Sequence, residues 1–399
     1  MKRVFFITGD YSGDMHASAV VRALRQIDET MHIAGVGGET LASAGVYLIQ
    51  PPMESASFSP AQYVGGLSRH YRLGKTILKF LSQFEPDAVV LVDYGGFNLW
   101  MARRLKQAGY RVFYYIPPQI WASRPWRIRS MLGAVERVFC IFPFEVELYR
   151  RHGIPVTYVG HPLVAQLPPP ANREDFCRQY GLDAHRPIVG LFPGSRKLEL
   201  NYLLAPMLAA LPLIESAYRL QFGVSPQFAI CPALSLSKDF FDQALAEAES
   251  SSGPLPSVTQ IADNHALLSV SNVAIAASGT VTLEAALYKT PTVILYRMNP
   301  LMFAIAKPFI LTAHIGLPNL LLGPQSAILP ELLQEAVTPA KIAEAALPFL
   351  DPESAAHTQA LAGFQTIAQL LGTDNAAAQV ASGLVQALLN TSSVAVATR

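Results

Sequence analysis

Two motifs, one at the middle of the sequence and one further on, combine glycine, hydroxyl and charged side chains in a pattern that suits a phosphorylated ligand. The first is Pro193–Gly194–Ser195–Arg196 with Glu199 shortly after it, and the second is Ser278–Gly279–Thr280 followed by Glu284. Each comes between an apolar run and a helical pattern, where free backbone N–H groups and an arginine fork bind diphosphates. Glu284 would accept from ribose hydroxyls. The pattern indicates a nucleotide site that is not a Walker A loop, because the Gly-Lys-Ser/Thr ending is missing. The alternative is that the two motifs are only capped helices with surface glutamates.

Candidate acid–base residues lie in the first half of the chain. The segment Gly9–Asp14 follows the first apolar run, and Asp93 follows a later one. Ligands of α/β proteins bind at the carboxyl ends of such strands, and glycines there permit positive φ and close ligand approach. Asp93, Asp14 and His16 are therefore candidates for a general base. The alternative is structural: Ser12, Asp14 or Asp93 would cap a helix, and a lone histidine is more often structural than catalytic.

A third candidate segment is rich in arginine and tryptophan. Trp121, Arg124, Arg127 and Arg129 follow one apolar run closely. A planar guanidinium suits phosphate recognition, and tryptophan beside arginine suits a membrane interface. A surface loop anchored by its tryptophan is the alternative.

Composition excludes several classes of protein. Lys and Arg total 30 against 29 Asp and Glu, so the net charge of +1 argues against a general nucleic-acid binder. The sequence has no Asp-x-Asp, HExxH, GxSxG or clustered His and Cys, which predicts no metal. The three cysteines are widely spaced, which favours a reducing compartment. Hydrophobic residues make up 51% and charged residues 15% of the chain, which fits a soluble protein that contacts lipids.

Short apolar runs alternate with helical patterns along the chain, which predicts βαβ units and doubly wound parallel sheets. Leu301–Leu317, interrupted by Lys307, Pro308 and His314, is the closest approach to a membrane span, and no transmembrane helix is predicted. The predicted strands are Val4–Thr8, Ile33–Val36, Ala88–Val92, Val112–Tyr115, Val138–Ile141, Val156–Val159, Ile188–Phe192, Phe228–Cys231, Val273–Ala276 and Thr292–Tyr296.

Two α/β halves of similar size are separated by the stiff segment Pro168–Pro170. We predict an N-terminal Rossmann-like domain over residues 1–165, a C-terminal Rossmann-like domain over 175–345, and helices over 346–399 that pack back towards the first domain. Because parallel sheets bind ligands at the carboxyl ends of their strands, we expect the two sets of loops to face a central cleft.

The ordered set of motifs resembles lipid-A-disaccharide synthases, which are inverting glycosyltransferases of the B-type fold. Each motif is weakly specific alone, whereas their order from Gly9 to about Leu333 is highly specific. The matching pieces are Ser12–Gly13–Asp14, Gly35–Val36–Gly37–Gly38, Pro86–Asp87, Asp93, Phe97–Asn98, Trp121–Ala122, Phe142–Pro143–Phe144–Glu145, Gly160–His161–Pro162–Leu163, Pro193–Gly194–Ser195–Arg196, Glu199, Ser278–Gly279–Thr280, Glu284, Tyr296–Arg297–Met298 and Leu317–Pro318–Asn319–Leu320.

This resemblance implies a metal-independent transfer without a cofactor. The donor would be UDP-2,3-diacylglucosamine, the acceptor 2,3-diacylglucosamine 1-phosphate, and the products a β-1′,6-linked disaccharide 1-phosphate and UDP. It also implies a cytoplasmic enzyme held peripherally at the inner face of the cytoplasmic membrane, with a homodimer left open. The donor-binding residues it implies are Ser195, Arg196, Glu199, Ser278, Gly279, Thr280, Glu284 and Asn319. The acceptor-binding residues it implies are Ser12, Gly13, Asn98, Trp121 and Arg127.

The acceptor half departs from the family pattern. The family carries Asp-x-Pro-Asp-Phe-Asn, whose second acid is Gly96 here, and Ala165 replaces an acid after Gly-His-Pro-Leu. Asp10 stands for a family Glu, Tyr11 replaces a small residue, and the Met-Gly element is missing from Ser55–Val64. These differences predict a different acceptor, a base moved to Asp14, Asp93 or His16, or a weakened enzyme. An enzyme similar to UDP-sugar 2-epimerases and a non-catalytic UDP-sugar binder are the alternatives.

Overall fold

The computed structural model describes residues 1–9, 11–50, 60–233, 236–251 and 253–394. Asp10 and the first half of the segment 55–64 lie outside this set. The chain forms two compact units: the first contains Met1–Ala165 and the C-terminal segment that starts at Leu371, and the second contains Gln166–Leu370. Each unit has its own parallel sheet, so the α/β class with two doubly wound sheets is confirmed.

The first unit has a seven-stranded parallel sheet in the order β3-β2-β1-β4-β5-β6-β7. Its strands are β1 Arg3–Ile7, β2 His32–Val36, β3 Tyr47–Gln50, β4 Ala88–Val92, β5 Val112–Tyr115, β6 Arg137–Cys140 and β7 Val156–Tyr158. Its helices up to the unit boundary are α1 Tyr11–Ile27, α2 Glu39–Ser43, α3 Pro60–Phe84, α4 Gly95–Gln107, α5 Ile120–Ser123, α6 Glu145–Arg151 and α7 Pro162–Gln166, with a 3₁₀ segment over Pro125–Ser130.

The second unit has a six-stranded parallel sheet in the order β10-β9-β8-β11-β12-β13. Its strands are β8 Ile188–Phe192, β9 Gln227–Ile230, β10 Val258–Gln260, β11 Val273–Ala277, β12 Thr292–Tyr296 and β13 Glu331–Leu333. Its helices are α8 Arg173–Tyr180, α9 Lys197–Phe222, α10 Lys238–Ser251, α11 Asn264–Val270, α12 Thr280–Leu287, α13 Pro300–Ala306, α14 Leu317–Leu322, α15 Pro339–Leu350 and α16 Ala355–Leu371, with 3₁₀ turns over Lys307–Phe309 and Gln334–Ala336.

Central strands are buried on both faces because helices cover each sheet. All five residues of β4, β8 and β11 are buried, which explains why these strands are apolar throughout and not alternating. The last helix, α17 Ala376–Val394, packs on α1 in the first unit. The three cysteines are buried free thiols.

Among the described residues, one helix, α9, is long and apolar enough for a membrane span by length and composition. It carries Pro206, Pro212 and two glutamates, and nine of its side chains are buried in the second unit, where it packs on α15 and α10. These contacts are those of a core helix.

Candidate active site

In both sheets the predicted site motifs lie at the point where the strand order reverses. This point falls between β1 and β4 in the first unit and between β8 and β11 in the second. The crevice outside the carboxyl ends of two such strands is where open α/β sheets bind ligands. The segments from Gly9 and from Asp93 follow β1 and β4, and those from Gly194 and from Ser278 follow β8 and β11.

In the second unit, the loop after β8 closes tightly on the start of α9. Glu199 accepts from the backbone N–H groups of Ser195 at 2.9 Å and Arg196 at 3.2 Å. Its other oxygen accepts from Arg196 Nη1 at 2.7 Å. Gly194 has φ +116°, and a Cβ there would lie 2.6 Å from Glu199 and 3.3 Å from Ala277 Cβ. Glu199 therefore shapes the loop, while the side chain of Arg196 stays 71% exposed.

The Ser278–Gly279–Thr280 motif opens helix α12 beside that loop. Ser278 Oγ donates to the carbonyl of Ile315 at 3.0 Å. A Cβ at Gly279 would meet no described atom within 4 Å, so the helix start is open to a ligand. Thr280 begins α12, whose first-turn N–H groups lack intrahelical acceptors. Open space and backbone donors at one strand end give this motif the features of an anion site.

Glu284 lies one turn along α12 and is half-buried. It accepts from Asn264 Nδ2 at 3.0 Å. Burial raises the pKa of its carboxyl, whereas His265 and the Asn264 hydrogen bond act in the opposite direction. A carboxylate held this way keeps one oxygen for further donors.

Asn319 is completely buried, and its amide is fully used within the protein. Its Nδ2 donates to Leu329 O at 2.8 Å and Glu331 Oε1 at 2.7 Å. Its Oδ1 accepts from the N–H groups of Ile328 at 3.0 Å and Leu329 at 3.1 Å. This geometry gives Asn319 a positioning role, because its hydrogen-bonding capacity is spent on the segment that runs from α14 into β13.

Glu331, which the sequence analysis did not single out, begins β13 and joins Asn319 to the loop before α14. Besides Asn319, it accepts from the N–H groups of Ile315 at 2.8 Å and Gly316 at 3.1 Å. Since Ile315 also accepts from Ser278, Glu331 indirectly fixes the start of α12. A short edge strand carries Glu331, and only the following apolar pair gave a signal for it in the sequence.

In the first unit, the residues after β1 and β4 interlock. A Cβ at Gly9 would overlap the ring of Tyr94, so only glycine permits this close approach. The buried amide of Asn98 donates to Asp93 O at 2.9 Å, Val92 O at 3.2 Å and Ile7 O at 3.4 Å. Asn98 thereby joins the ends of both strands.

The backbone beyond β4 and β5 is strained at three non-glycine residues. Asp93 and Tyr94 have φ of 50°, and the β-branched Ile116 has φ of 53°. Left-handed conformations of such residues cost free energy and cluster at functional sites. Tyr114 OH donates to Asp93 O at 2.9 Å. Burial raises the pKa of this phenol, the charge of Asp93 adds to the rise and that of Arg127 opposes it.

The segment after Gly9 is helical where the sequence predicted a glycine loop. Ser12, Gly13 and Asp14 lie in the first turn of α1, and neither Gly9 nor Gly13 has a positive φ. Asp14 is buried and accepts from the backbone N–H groups of Gly38 at 2.5 Å, Thr40 at 3.1 Å and Leu41 at 3.2 Å. Its carboxylate therefore holds the start of α2, which is a capping role at a distance.

The rings of Trp121, Phe142 and His161 form an aromatic cluster at the same sheet edge, and the charge of His16 acts on His161. Ser12 Oγ and His16 Nε2 are 3.2 Å apart. Burial, with the nearby His16 charge, lowers the pKa of His161 to about 3. Trp121 Nε1 donates to Glu145 Oε1 at 3.0 Å. Burial raises the pKa of Glu145 to about 7, although its hydrogen bonds from Trp121 and Phe142 oppose the rise.

His70 on α3 is a further first-unit residue that the sequence analysis missed. Its Nε2 lies 2.6 Å from Tyr94 OH, and its ring stacks on Phe97 at 5.4 Å between centroids. Burial lowers the pKa of His70. Its distance of more than 20 residues from Tyr94 left no local signal in the sequence. Within the described ranges, no group of three or more His, Cys, Asp or Glu side chains could hold a metal ion.

Two doubly wound parallel sheets with polar loops at their switch points give this chain the B-type glycosyltransferase fold. The model of the family "Lipid-A-disaccharide synthetase" matches residues 4–382. The chain belongs to the lipid-A-disaccharide synthase family.

Curated lipid-A-disaccharide synthases are similar to this chain over most of their length. A lipid-A-disaccharide synthase of Syntrophotalea carbinolica is 36% identical over 382 residues, which cover 95% of this chain and 94% of that protein. One of Coxiella burnetii is 37% identical over 343 residues, covering 86% and 87%. The family resemblance drawn from the ordered motifs is confirmed.

Solved structures show the same fold at low sequence identity. A UDP-GlcNAc 2-epimerase of Neisseria meningitidis bound to UDP-GlcNAc has a TM-score of 0.61 at 12% identity, covering 96% of this chain and 100% of that one. A glycosyltransferase of Rickettsia africae has a TM-score of 0.54 at 14% identity, covering 97% and 98%. Because the epimerase shares only the fold, the 36% identical synthases decide between the two classes.

Proposed function

We propose that the chain transfers 2,3-diacylglucosamine from its UDP derivative to the 6-hydroxyl of 2,3-diacylglucosamine 1-phosphate. The bond between the sugar carbon and the UDP oxygen breaks, the acceptor oxygen takes its place, and the acceptor proton passes to a base. The observation that carries this proposal is the family match over residues 4–382, with motifs at the switch point of each sheet.

The donor site that we propose is the switch point between β8 and β11. Arg196 would bind the diphosphate, and the open start of α12 at Gly279–Thr280 would stabilise the charge on the departing UDP. Glu284 would accept from ribose hydroxyls. Glu199, Ser278 and Asn319 shape these loops through the contacts described above, as does Ser195 through its N–H.

The acceptor site that we propose is the switch point between β1 and β4, with Asp93 as the general base. Asp93 combines the carboxyl end of a central strand, partial exposure and a strained backbone. Asp14 already accepts three N–H groups, so we assign it a positioning role, and Asn98 likewise positions Asp93. His16 is the competing base, because its ring contacts the Ser12 hydroxyl at the start of α1. Ser12, Gly13, Trp121 and Arg127 would bound the acceptor.

Membrane contact fits an apolar surface of the second unit. Leu301, Met302 and Ile305 on α13 are 70%, 54% and 57% exposed, and Phe309 and Leu311 just after it are 51% and 58% exposed. Lys307 lies within this apolar surface. Exposed apolar side chains beside a cation favour the interface of an anionic bilayer, from which a diacylated substrate would be drawn.

Vesicle flotation tests this contact. We expect Ile305→Ser with Phe309→Ser to abolish binding to phosphatidylglycerol vesicles, whereas Leu220→Ser, at a residue 90% exposed elsewhere, leaves binding intact. Equal flotation of both variants would contradict the assignment.

Transfer itself is tested with synthetic acylated donor and acceptor. We expect wild type to form the disaccharide 1-phosphate and UDP in equal amounts, and Asp93→Asn to lower kcat by roughly 10²-fold or more. His16→Gln should have a much smaller effect if Asp93 is the base. Silence of the wild type combined with retained UDP binding would instead support a non-catalytic binder, which Gly96 in place of the family acid favours.

A further inference from the structure

A groove of about 460 Å³ runs along one face of α4 in the first unit. Gly96, Trp100, Arg103 and Arg104 line one side, at the spacing of a single helix face. Arg127 and Ser130, from the 3₁₀ segment, line the other. The volume lies within the range of sites for small molecules.

The charge of this groove is one-sided. The lining residues that the structure describes include three arginines and no carboxylate. Like charges gathered in one concave site attract an anion and focus its approach. Guanidinium groups bind phosphate oxygens with two parallel hydrogen bonds, and the three oxygens of a phosphate monoester can accept from more than one arginine.

Two of the guanidinium groups are held in place by the protein. Arg104 stacks on the ring of Trp100 at 4.0 Å from the centroid. Arg103 Nη2 donates to the carbonyl of Arg129 at 3.1 Å. Groups fixed before binding lose less conformational entropy on meeting a ligand, so preorganisation favours affinity.

Gly96 lies beside the arginines in the lining of the groove. A Cβ at this position would meet no described atom within 4 Å. It also lies in the first turn of α4, a helix of 13 residues, where backbone N–H groups add to the positive potential. An acidic side chain here would place a negative charge beside the arginines, whereas glycine leaves their charge available.

We propose that this groove binds a phosphate monoester on a sugar, and that in the transfer reaction the ligand is the 1-phosphate of the acceptor. This identification rests on the proposed function. It also couples binding to chemistry, because Asp93 directly follows β4 and stands two residues before α4 begins, so the segment that carries the proposed base leads directly into the groove. A phospholipid headgroup offers similar phosphate chemistry and is separated from the sugar phosphate by the experiment.

The first measurement is binding of glucosamine 1-phosphate to the full chain by titration calorimetry. We expect Arg103→Gln and Arg104→Gln each to weaken binding roughly tenfold, as for a lost charge-assisted hydrogen bond. Lys106→Gln, on the same helix but outside the lining residues of the groove, removes the same charge and should leave affinity unchanged. Equal affinities in all four proteins would overturn the proposal.

The second measurement separates the two phosphate sources. Binding of wild type and of Arg103→Gln to phosphatidylglycerol vesicles is compared, with phosphatidylcholine vesicles as the neutral control. Equal binding by both proteins supports the sugar phosphate. Loss of vesicle binding with unchanged glucosamine 1-phosphate affinity would overturn it in favour of a headgroup.

The third measurement compares transfer to acceptors with and without the 1-phosphate. We expect Arg103→Gln to raise the KM of the phosphorylated acceptor roughly tenfold and to leave the dephosphorylated one unaffected. If wild type transfers equally well to both, the groove assignment fails and the proposed function stands. If wild type transfers to neither but binds glucosamine 1-phosphate through the arginines, the proposed function fails and the groove stands.

Discussion

The indole Nε1 of Trp121 donates to Glu145 Oε1 at 3.0 Å and so joins the segment after β5 to the start of α6. Glu145 Oε2 accepts from the backbone N–H of Phe142 at 3.2 Å, and the carboxyl is 1% exposed. Glu145 therefore fixes Trp121, and Trp121 in turn fixes the arginine-rich segment that follows it. Burial raises the pKa of Glu145. The stability of the site is therefore linked to pH.

We expect Glu145 to lower stability as pH rises from about 4.5 towards about 7. Its folded pKa of about 7 lies above the ordinary 4.5, so the folded state binds more protons in this window. Its contribution is complete below the unfolded pKa and is lost through the folded one. The free energy of unfolding of Glu145→Gln, minus that of wild type, should grow with pH by a few kcal/mol at most. A difference independent of pH between 4 and 8 would refute this.

His161 acts in the opposite sense over a partly overlapping range. Its folded pKa of about 3 lies below the ordinary 6.5, so its contribution is present above 6.5 and is lost as pH falls. The two groups oppose each other between about 4.5 and 6.5, and wild type should therefore have a shallower pH dependence of stability there than Glu145→Gln. A steeper profile in wild type would contradict this opposition.

Arg196→Ala should separate activity from stability. Because its side chain is 71% exposed, its ion pair with Glu199 contributes about 0–1 kcal/mol. Loss of charge stabilisation at the leaving diphosphate should lower kcat/KM by roughly 10²- to 10³-fold. The exposed Arg219 on the same helix supplies the control Arg219→Ala, for which transfer and melting temperature should both match wild type. Equal transfer rates for the two variants would remove Arg196 from the donor site.

Gly194→Ala should destabilise the chain more than a comparable glycine change. Both Gly194 and Gly223 have positive φ, +116° and +75°, but only at Gly194 would the new Cβ lie 2.6 Å from Glu199. We expect a loss of about 1 kcal/mol for Gly223→Ala and roughly 3 kcal/mol or more for Gly194→Ala, measured by denaturant unfolding. Similar losses would show that the Glu199 side chain moves away from the new Cβ at little cost in stability.

Much of this architecture could be predicted from sequence, and the exceptions have physical causes. All central strands were predicted because burial on both faces demands continuous apolar runs, as in β4, β8 and β11. Three of the four edge strands, β3, β10 and β13, were missed, because a strand with one neighbour and three or four residues needs no such run, whereas the edge strand β7 was predicted.

Site residues were likewise predicted where the signal is local and missed where the partners are distant in sequence. Strand-end motifs such as Gly194–Ser195–Arg196 were visible because they are local. The roles of Asp14 and Asn319 were not, because their partners are backbone groups of other segments. His70 and Glu331 were missed for the same reason, since pairs such as His70 with Tyr94 come together only through tertiary packing.

Asn319→Ala should show how much the buried amide stabilises the second unit. The change removes two donors and two acceptor contacts and leaves Glu331 and three backbone groups of the loop without that partner. We expect a loss of roughly 3 kcal/mol in the free energy of unfolding, against about 0.5 kcal/mol or less for the exposed Asn201→Ala. A small loss for Asn319→Ala with weakened UDP binding would instead place its amide on the ligand.

Gly96→Asp tests the base and the arginine groove together. Space is available at this position, and an acid in the first turn of α4 meets a favourable helix dipole, so folding should be unharmed. If Asp93 is the base, kcat should stay near the wild-type value, because no missing group is being replaced. The new carboxylate would lie beside Arg103 and Arg104, and the KM of the phosphorylated acceptor should rise roughly tenfold. The isosteric Gly96→Asn has no charge and should leave that KM near wild type, which isolates the carboxylate. A gain in kcat for Gly96→Asp but not for Gly96→Asn would show that this chain lacks a base of its own, and would replace Asp93 in that role.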